Sequence, residues 1–538
     1  MPVRNLFRYG TLLAITGLGL YLLAPPEESA STADRPVARS GEAAQEPRFT
    51  IKIAPGQSYM PGVVPSGIGE PLRGLTTVID RFEARFPDTH IEVLNVPAVR
   101  EYLVTQLSSG SAPDIVNANV EDVWIDVHKD WYVPLDSFLE APNPFVLERN
   151  DPQLPGARQW WDMFRYQAIS RGKAAPNGKS YCLSLDMVET GIFYNKTLFA
   201  ELGLQPPQDW EAFLVLLQNL RDAGKIPLLM SIGAFNDWCH DLVFDQLYHD
   251  LLPGIDLKQD ASREGYLQGY LDPEEIAFLY REKDFFTRKD PRYRELWQHL
   301  RRLRDFTNSD LNSTDLTREF VNQQGAMLWS GSWLTYRLSA DKGLGFDWGV
   351  FYLPPFTRTT SAYASPTPTP MCVIGGVASQ FEVTNSAVAD TDPDLPFAER
   401  MKNSQRLQRV IAFLQFLSLP ENAETVINEY SCLIPNIVGV EPLPPLAPFV
   451  EILERRYTTT KWAYTFDLRF NDVMTRMLQM YLTDGVDLDE FLDWQERNLR
   501  AATTNFVSRK QLDLDGLEAA WQQRAAVRAT MVDLPPTR

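Results

Sequence analysis

Apolar positions in residues 49–116 change spacing four times, and each spacing predicts an element. Alternate positions are apolar from Phe49 to Ile53, which predicts a first strand. Apolar residues recur at helical spacing from Leu75 to Phe86 and again from Tyr102 to Leu107. Short β-rich runs at Ile91–Leu94 and Pro113–Val116 predict two more strands. The order strand–helix–strand–helix–strand with short loops predicts a parallel sheet covered by helices.

The stretch 178–213 contains another set of local elements. Tyr181–Tyr194 is rich in Val, Ile, Leu and aromatic residues, and therefore predicts extended strand. A short helix is expected to begin near Thr197 and to end at Gly203, a residue suited to the left-handed position after a helix. Asp209 is expected to cap a second helix, because apolar residues follow it at helical spacing.

The order of these elements resembles the family 1 extracellular solute-binding proteins, relatives of maltose-binding protein. That family follows a G-K-x-Y strand with Y-N-K-x-L-F and P-P-x-x-W-x-x-F, and this chain has similar residues at 194–199 and 206–213. The segment S-G-S-A-P-D-I-V at 109–116 resembles a second family motif. Residues 320–334 resemble a third, F-x-x-G-x-A-A-M-x-x-x-G-x-W. The resemblance covers about residues 49 to 507.

The resemblance implies an α/β, two-lobed periplasmic-binding-protein fold. Each lobe is expected to be a mostly parallel sheet flanked by helices, with three chain crossings forming a hinge. The predicted segments are 49–187 and 371–435 for lobe 1, and 188–370 and 436–538 for lobe 2, with a helical elaboration at about 253–310. The predicted hinge segments are Leu185–Glu189, Met371–Ile374 and Cys432–Pro435.

The N-terminus predicts export. Arg4 and Arg8 precede an apolar run, Tyr9–Ala24, whose 16 residues would span roughly 24 Å as a helix, less than the roughly 30 Å hydrocarbon core. Residues 1–24 are therefore interpreted as a signal sequence, with cleavage near Ala33, or as an N-terminal anchor in the inner membrane. Residues 25–48, rich in Pro, Glu, Ser and Ala, predict a disordered linker. The expected location is periplasmic, or extracytoplasmic and anchored.

Composition excludes several function classes. A net charge of −19 disfavours nucleic-acid binding, which needs a basic face. The five histidines form no H-E-x-x-H pattern, and Lys173 stands where a P-loop would need its first glycine, so neither a metal nor a cofactor is expected. Four cysteines allow three pairings or buried free thiols: Cys182, Cys239, Cys372 and Cys432.

The sequence contains no catalytic motif. Glycoside hydrolysis needs two carboxylates about 5–10 Å apart, and 70 acidic residues allow so many pairs that no pair is informative. The protein is therefore expected to bind its ligand without converting it.

Ligands of open α/β sheets bind beyond the carboxyl ends of the strands. Aromatic faces, amides and carboxylates in those positions suit a sugar, whose rings have apolar faces and hydroxyl rims. The resemblance adds that Trp333 stands where the family has a ligand-stacking aromatic residue. The predicted ligand-binding residues are Gln57, Tyr59, Asn119, Glu121, Glu189, Thr190, Asn236, Asp237, Trp238 and Trp333.

The resemblance thus implies a protein that captures a carbohydrate-like small molecule, a sugar or oligosaccharide, and delivers it to the permease subunits of an ABC transporter. A sensory or scaffold protein of the same fold, with no transport partner, is the alternative. A glycoside hydrolase is the third and least favoured interpretation.

Overall fold

The structure is a computed structural model. It describes residues 47–67, 69–96, 100–118, 122–123, 126–165, 175, 177, 179–258, 271, 273–365, 379–454, 468–510 and 512–531. The N-terminal segment 1–46 and the predicted hinge segment Met371–Ile374 lie outside these residues. Among the described residues, no helix is both long enough and apolar enough to cross a bilayer.

Eleven strands are described. They are β1 (Phe49–Ala54), β2 (Thr89–Val93), β3 (Ile115–Val116), β4 (Cys182–Leu183), β5 (Asp186–Met187), β6 (Thr190–Asn195), β7 (Ile226–Leu229), β8 (Gly325–Gly331), β9 (Trp348–Phe351), β10 (Phe381–Val383) and β11 (Ile434–Pro435).

The strands form two larger sheets, one for each lobe. The first sheet has the order β2-β1-β3-β10-β4, and the second has the order β7-β8-β6-β9. β1 pairs in parallel with β2 and β3, whereas β10 is antiparallel to both of its neighbours. In the second sheet β7 and β8 are parallel, and β6 is antiparallel to β8 and β9. Each sheet therefore has one reversed strand, and this is the first strand after the chain arrives from the other lobe.

The predicted continuous strand Tyr181–Tyr194 is divided into β4, β5 and β6, which belong to three different sheets. β5 forms a separate two-stranded sheet with β11, in which Ile434 lies opposite Met187 and Pro435 opposite Asp186. The division has a physical reason, because one segment must leave the first sheet, cross the hinge and enter the second.

Helices cover the sheets. The α-helices are Gly74–Arg85, Arg100–Ser109, Asp136–Leu139, Pro144–Leu147, Lys196–Glu201, Trp210–Asp222, His240–Tyr248, Leu252–Ile255, Pro273–Lys283, Pro291–Arg304, Leu316–Val321, Leu334–Ala340, Phe397–Asn403, Gln405–Leu417, Pro420–Ile427, Leu468–Leu482, Leu488–Lys510, Leu514–Gln523 and Ala525–Arg528. Capping side chains and glycines determine where several of these helices begin or end. The Asp209 carboxylate accepts from the Ala212 N–H at 2.8 Å, and Gly203 has a φ of 66° just past its helix.

Each sheet has its own hydrophobic core. In the first lobe, Ile51, Ile53 and Phe381 pack against helical residues such as Phe82 and Phe413. The second lobe has a larger core, because the helices at 273–304 and 468–523 add a further layer to it. The predicted helical elaboration at about 253–310 and the predicted return of the C-terminal helices concern this layer and stay predictions.

The chain after the third crossing stays with the first lobe for a few residues. Ile437 and Val440 belong to the first core, whereas Leu446 and Phe449 pack with Phe193 of the second sheet. Ile437 and Val440 therefore pack with the first lobe, and the boundary at 435/436 stays a prediction.

A buried hydrogen bond joins the first lobe to the hinge. The Tyr59 hydroxyl donates to the Asp186 carboxylate of β5, and both residues are almost completely buried. The Tyr59 ring stacks on Phe381 at 5.8 Å. Burial and the neighbouring Asp186 raise the pKa of the Tyr59 phenol well above its ordinary value, so the hydroxyl remains a donor.

We predict that Tyr59→Phe lowers the free energy of unfolding by about 1–3 kcal/mol, because Asp186 loses a buried donor while the packing of the ring is kept. Urea denaturation measures the change. Tyr194→Phe is the control, since no hydrogen bond of the Tyr194 hydroxyl to another described residue is found; equal losses in the two variants would contradict the prediction.

Candidate functional site

The facing edges of the two sheets meet beside the hinge. Ser332, which follows β8, is fully buried and donates from its hydroxyl to the Cys432 carbonyl at 3.0 Å. The Ser332 N–H donates to the Glu189 carbonyl at 2.7 Å. One serine of the second lobe therefore binds the first and the third crossing, and the residue after it, Trp333, is held at the edge between the lobes.

The second-lobe edge carries an aromatic pair. Trp238 lies in a π-helical segment, Ala234–Cys239, and its ring centroid is 5.8 Å from that of Trp333, with the planes inclined at 58°. π-helical turns are uncommon and occur often at functional sites. Both rings are half-buried, and Trp333 also packs against the core of the first lobe.

Polar groups accompany this pair. Asn236 and Asp237 lie in the same π-helical segment and are half-buried, and the Asn236 amide donates to the Asp237 carboxylate at 3.1 Å. An amide, a carboxylate and two indole rings therefore share one edge. These groups can hydrogen-bond hydroxyls and cover an apolar ring face at the same time.

Gly331 makes room for Trp333. A Cβ atom at Gly331 would lie 2.0 Å from a carbon of the Trp333 ring, closer than real Cβ contacts come. The glycine at the end of β8 is therefore required by the close approach of the indole ring, and it helps to set the orientation of that ring.

The first-lobe edge brings together the ends of β1 and β3 and the start of β10. A Cβ atom at Gly56 would lie 2.7 Å from the Ser379 hydroxyl and 3.1 Å from the Asn117 side-chain oxygen. The same Asn117 oxygen accepts from the Gln380 N–H at 2.7 Å. This edge presents small and polar groups.

Glu382 is a buried carboxyl near this edge. It lies on β10 between β3 and β4, and one of its oxygens accepts from the Ala118 N–H at 2.8 Å. Burial raises the pKa of Glu382 well above its ordinary value, although the bonds from Ala118 and Cys182 act in the opposite direction. The neutral carboxyl is therefore favoured in the folded protein.

The structure separates the predicted site residues into three groups. Trp238, Trp333, Asn236 and Asp237 lie together at the second-lobe edge, and Gln57 is exposed at the first-lobe edge. Tyr59, Glu189 and Thr190 are at most 2% exposed. Asn119 and Glu121 lie outside the described residues.

Each buried residue of the second group takes part in the hinge region. Tyr59 donates to Asp186, Glu189 bonds Ser332 through its backbone, and Thr190 pairs with Gly331 in the second sheet. Their placement makes them supports of the hinge in this arrangement of the lobes, rather than surfaces open to a ligand.

Ser379 and Glu382 were not predicted. The segment Phe381-Glu382-Val383 has the alternation of a half-exposed strand, which places its Glu in water. In the fold this strand is central and covered on both faces, so the Glu is fully buried. The alternation gives no signal of a central position, because the neighbours β3 and β4 come from far earlier in the chain.

Cys239 and Cys432 are buried free thiols. Cys182 is buried and its thiol donates to the Gln380 side-chain oxygen at 3.4 Å, and Cys372 lies outside the described residues. Burial raises the pKa of the Cys239 and Cys432 thiols. Over the part of the chain that the structure describes, no three His, Cys, Asp or Glu side chains are grouped as metal ligands.

Comparison with known proteins gives a consistent result. The family description "Bacterial extracellular solute-binding protein" matches residues 68–424. The multiple sugar-binding protein of Streptococcus mutans is 25% identical over 162 residues, which is 29% of this chain and 33% of that protein. This chain therefore aligns with about a third of the length of that curated relative.

Two solved structures share the fold. The apo form of RafE from Streptococcus pneumoniae has a TM-score of 0.57 and 16% identity, covering 86% of this chain and 100% of RafE. The sugar-binding protein MalE from Xanthomonas citri has a TM-score of 0.56 and 17% identity, covering 86% of this chain and 100% of MalE. At these identities the likeness concerns the fold alone.

We predict that Gly331→Ala displaces the Trp333 ring and lowers the free energy of unfolding by about 1–3 kcal/mol, because the added methyl overlaps the indole. Tryptophan emission and urea denaturation measure both effects. Gly233→Ala is the matched control, since its backbone is helical and the nearest atom to an added Cβ is 3.6 Å away. Parent-like emission and stability in Gly331→Ala would refute the proposed role of this glycine.

We predict a pH-dependent gain from Glu382→Gln. The folded protein keeps the Glu382 proton that the unfolded chain loses near its ordinary pKa of 4.5. The stability that this proton contributes is present below that pH and is lost as the pH rises toward the folded pKa. The difference in melting temperature, variant minus parent, should therefore increase from pH 5 to pH 8, by roughly 2–4 °C per kcal/mol.

Exposed Glu399→Gln is the control for this experiment, and its difference from the parent should be the same at both pH values. A constant difference for Glu382→Gln across the same range would mean that the Glu382 carboxyl is ionised in the folded protein.

Proposed function

This chain belongs to the bacterial extracellular solute-binding protein family, and we propose that it captures a carbohydrate in the cleft between its lobes and delivers it to an ABC permease. The observation that carries this proposal is the Trp238–Trp333 pair at the second-lobe edge. The two indole rings pack against each other at 58° and form one aromatic surface, which suits the apolar face of a sugar ring.

The polar neighbours of the pair support the same ligand class. Asn236 offers both a donor and an acceptor, and Asp237 offers acceptors, so the two together match the alternating donors and acceptors of sugar hydroxyls. The first-lobe edge adds the Ser379 hydroxyl and the Asn117 amide. Names among the similar proteins, "multiple sugar-binding protein" and "sugar-binding protein", agree with a carbohydrate ligand.

Closure of the lobes around the ligand is the expected mechanism. Hinge closure is the known behaviour of periplasmic binding proteins, so the idea comes from the family. The chain contributes the hinge itself, in which β5 pairs with β11 and Ser332 bonds to Cys432. A ligand that contacts both edges binds the closed form better and shifts the population toward it.

Two finer parts of the proposal concern chemistry and location. The protein binds without catalysis, so its ligand should be recovered intact. The family is an extracellular one, and residues 1–24 then serve as a cleaved signal or as a membrane anchor. N-terminal sequencing of the mature protein distinguishes the two, and an intact Met1 on a cytosolic protein would contradict both.

A thermal-shift screen tests the ligand class. Purified protein is mixed in turn with monosaccharides, oligosaccharides, polyols and amino acids, and a ligand that binds only the folded state raises the melting temperature. A shift with a sugar supports the proposal. Shifts confined to amino acids or polyols would overturn the carbohydrate assignment, and retention of permease subunits on the immobilised protein tests the transport partner.

We predict that Trp333→Ala weakens binding of the sugar found in that screen by at least about tenfold. A stacked aromatic contact contributes about 0.5–1.5 kcal/mol beyond the area it buries, and that burial is lost as well. Isothermal titration calorimetry measures the affinity. Trp494→Ala is the matched control, because Trp494 is half-buried in the C-terminal helix Leu488–Lys510. Parent-like affinity in a folded Trp333→Ala would move the site elsewhere.

A further inference from the structure

A loop of the first lobe, residues 62–72, lies between β1 and the helix Gly74–Arg85, and the structure describes all of its residues except 68. Two backbone hydrogen bonds close its base: the Gly62 N–H donates to the Leu72 carbonyl at 2.9 Å, and the Leu72 N–H donates to the Val63 carbonyl at 2.8 Å. These bonds hold the two ends of the loop next to each other.

The base of this loop is attached to the segment that leads into the third crossing. The Arg73 N–H donates to the Glu429 carboxylate at 2.7 Å. Close packing adds to this bond, since a Cβ atom at Gly74 would lie 2.4 Å from the Thr425 carbonyl oxygen. The C-terminal end of the loop is therefore attached to Thr425 and Glu429 of the first lobe.

The loop meets the second lobe at Gly69. Gly69 has a φ of 92°, a left-handed conformation that favours glycine. A Cβ atom there would lie 2.5 Å from the Tyr336 hydroxyl oxygen but 3.8 Å from the ring carbon that carries it. Glycine is therefore needed for the backbone conformation and also for the approach of the Tyr336 hydroxyl.

Tyr336 also contacts a tyrosine of the first lobe. Its ring meets the Tyr430 ring edge-on, with centroids 5.5 Å apart and planes inclined at 84°, a favourable aromatic geometry. The side chains of Ser58 and Cys432 lie beside the Tyr430 hydroxyl. Tyr336 lies on the helix Leu334–Ala340, which begins directly after Trp333.

We propose that Tyr336 is an interlobe latch: it is held between Gly69 of the 62–72 loop and Tyr430, and it stabilises the arrangement of the lobes in this structure without any ligand. Gly69 and Tyr430 belong to the first lobe and Tyr336 belongs to the second, so these contacts join the two lobes. They add to this arrangement a stabilisation that any arrangement without the contacts lacks. The proposal goes beyond ligand capture and is independent of which ligand binds.

Small-angle X-ray scattering of the purified, ligand-free protein tests the latch. Tyr336→Ala removes both contacts and should increase the radius of gyration. Amide hydrogen exchange in residues 62–72 should become faster by roughly threefold to tenfold, the range expected for the loss of one aromatic pair. Identical scattering and identical exchange in Tyr336→Ala and the parent, with an unchanged circular dichroism spectrum, would overturn the proposal.

A double-mutant cycle separates the latch from general damage to the loop. Gly69→Ala introduces a methyl close to the Tyr336 hydroxyl and also strains the backbone at 69. In the Tyr336→Phe background the hydroxyl is absent, and the added methyl at 69 lies 3.8 Å from the nearest ring carbon of residue 336, an ordinary contact. The backbone strain at 69 is the same in the parent and Tyr336→Phe backgrounds. Gly69→Ala should therefore increase the radius more in the parent background than in the Tyr336→Phe background. Equal effects in the two backgrounds would show that Gly69 acts on the loop alone, and would overturn the contact.

Tyr336→Phe alone is the matched control, because it keeps the ring against Tyr430 and should scatter like the parent. The readouts need no ligand, so a failure to find a sugar in the thermal-shift screen leaves this test intact. If Tyr336→Ala and the parent scatter alike, the latch is wrong, but binding of a sugar would still support the proposed function.

Discussion

The antiparallel pairing of β5 with β11 is the constraint on which the two-lobed arrangement depends. Only two residues of each strand take part, Asp186–Met187 and Ile434–Pro435. The pair lies between two large sheets that share no strand. Tyr59 fixes one side of it through Asp186, and Ser332 fixes the other through the Cys432 carbonyl. Such a short, buried pair of strands can act as a hinge for the two lobes while it keeps the facing edges of their sheets aligned.

The segment from Gly331 to Tyr336 connects this hinge to the candidate site. Gly331 accommodates the Trp333 ring, Ser332 binds both crossings, and Tyr336 reaches the first lobe one helical turn later. Residues of this one segment thus contribute to the proposed ligand stacking, to the hinge contacts and to the contact between the lobes. A change in the angle between the lobes must therefore change the surroundings of Trp333, which couples closure to the surface that would hold a sugar.

The sequence predicts local elements well where local chemistry decides them. Asp209 caps its helix as expected, and Gly203 has the left-handed backbone expected after a helix end. The sequence predicts poorly those features that depend on pairing between residues far apart in the chain. Tyr181–Tyr194 has the pattern of one strand, but the hinge divides it among three sheets. Tyr59 has the pattern of a cleft residue, but Asp186, 127 positions away, binds its hydroxyl inside the hinge. Spacing along the chain carries no information about such partners.

The position of β10 has a consequence for the order in which the protein can be built. β10 lies between β3 and β4, yet about two hundred residues of second-lobe chain separate it from β4. As the chain emerges from the ribosome, the first sheet has a gap between β3 and β4 until residue 383 appears. The second core waits still longer, because it includes Trp521. Contacts between such distant residues form slowly. Neither lobe can therefore complete its fold early in synthesis. The nascent chain remains incompletely folded for a long time, and an incompletely folded chain can still pass through a narrow channel.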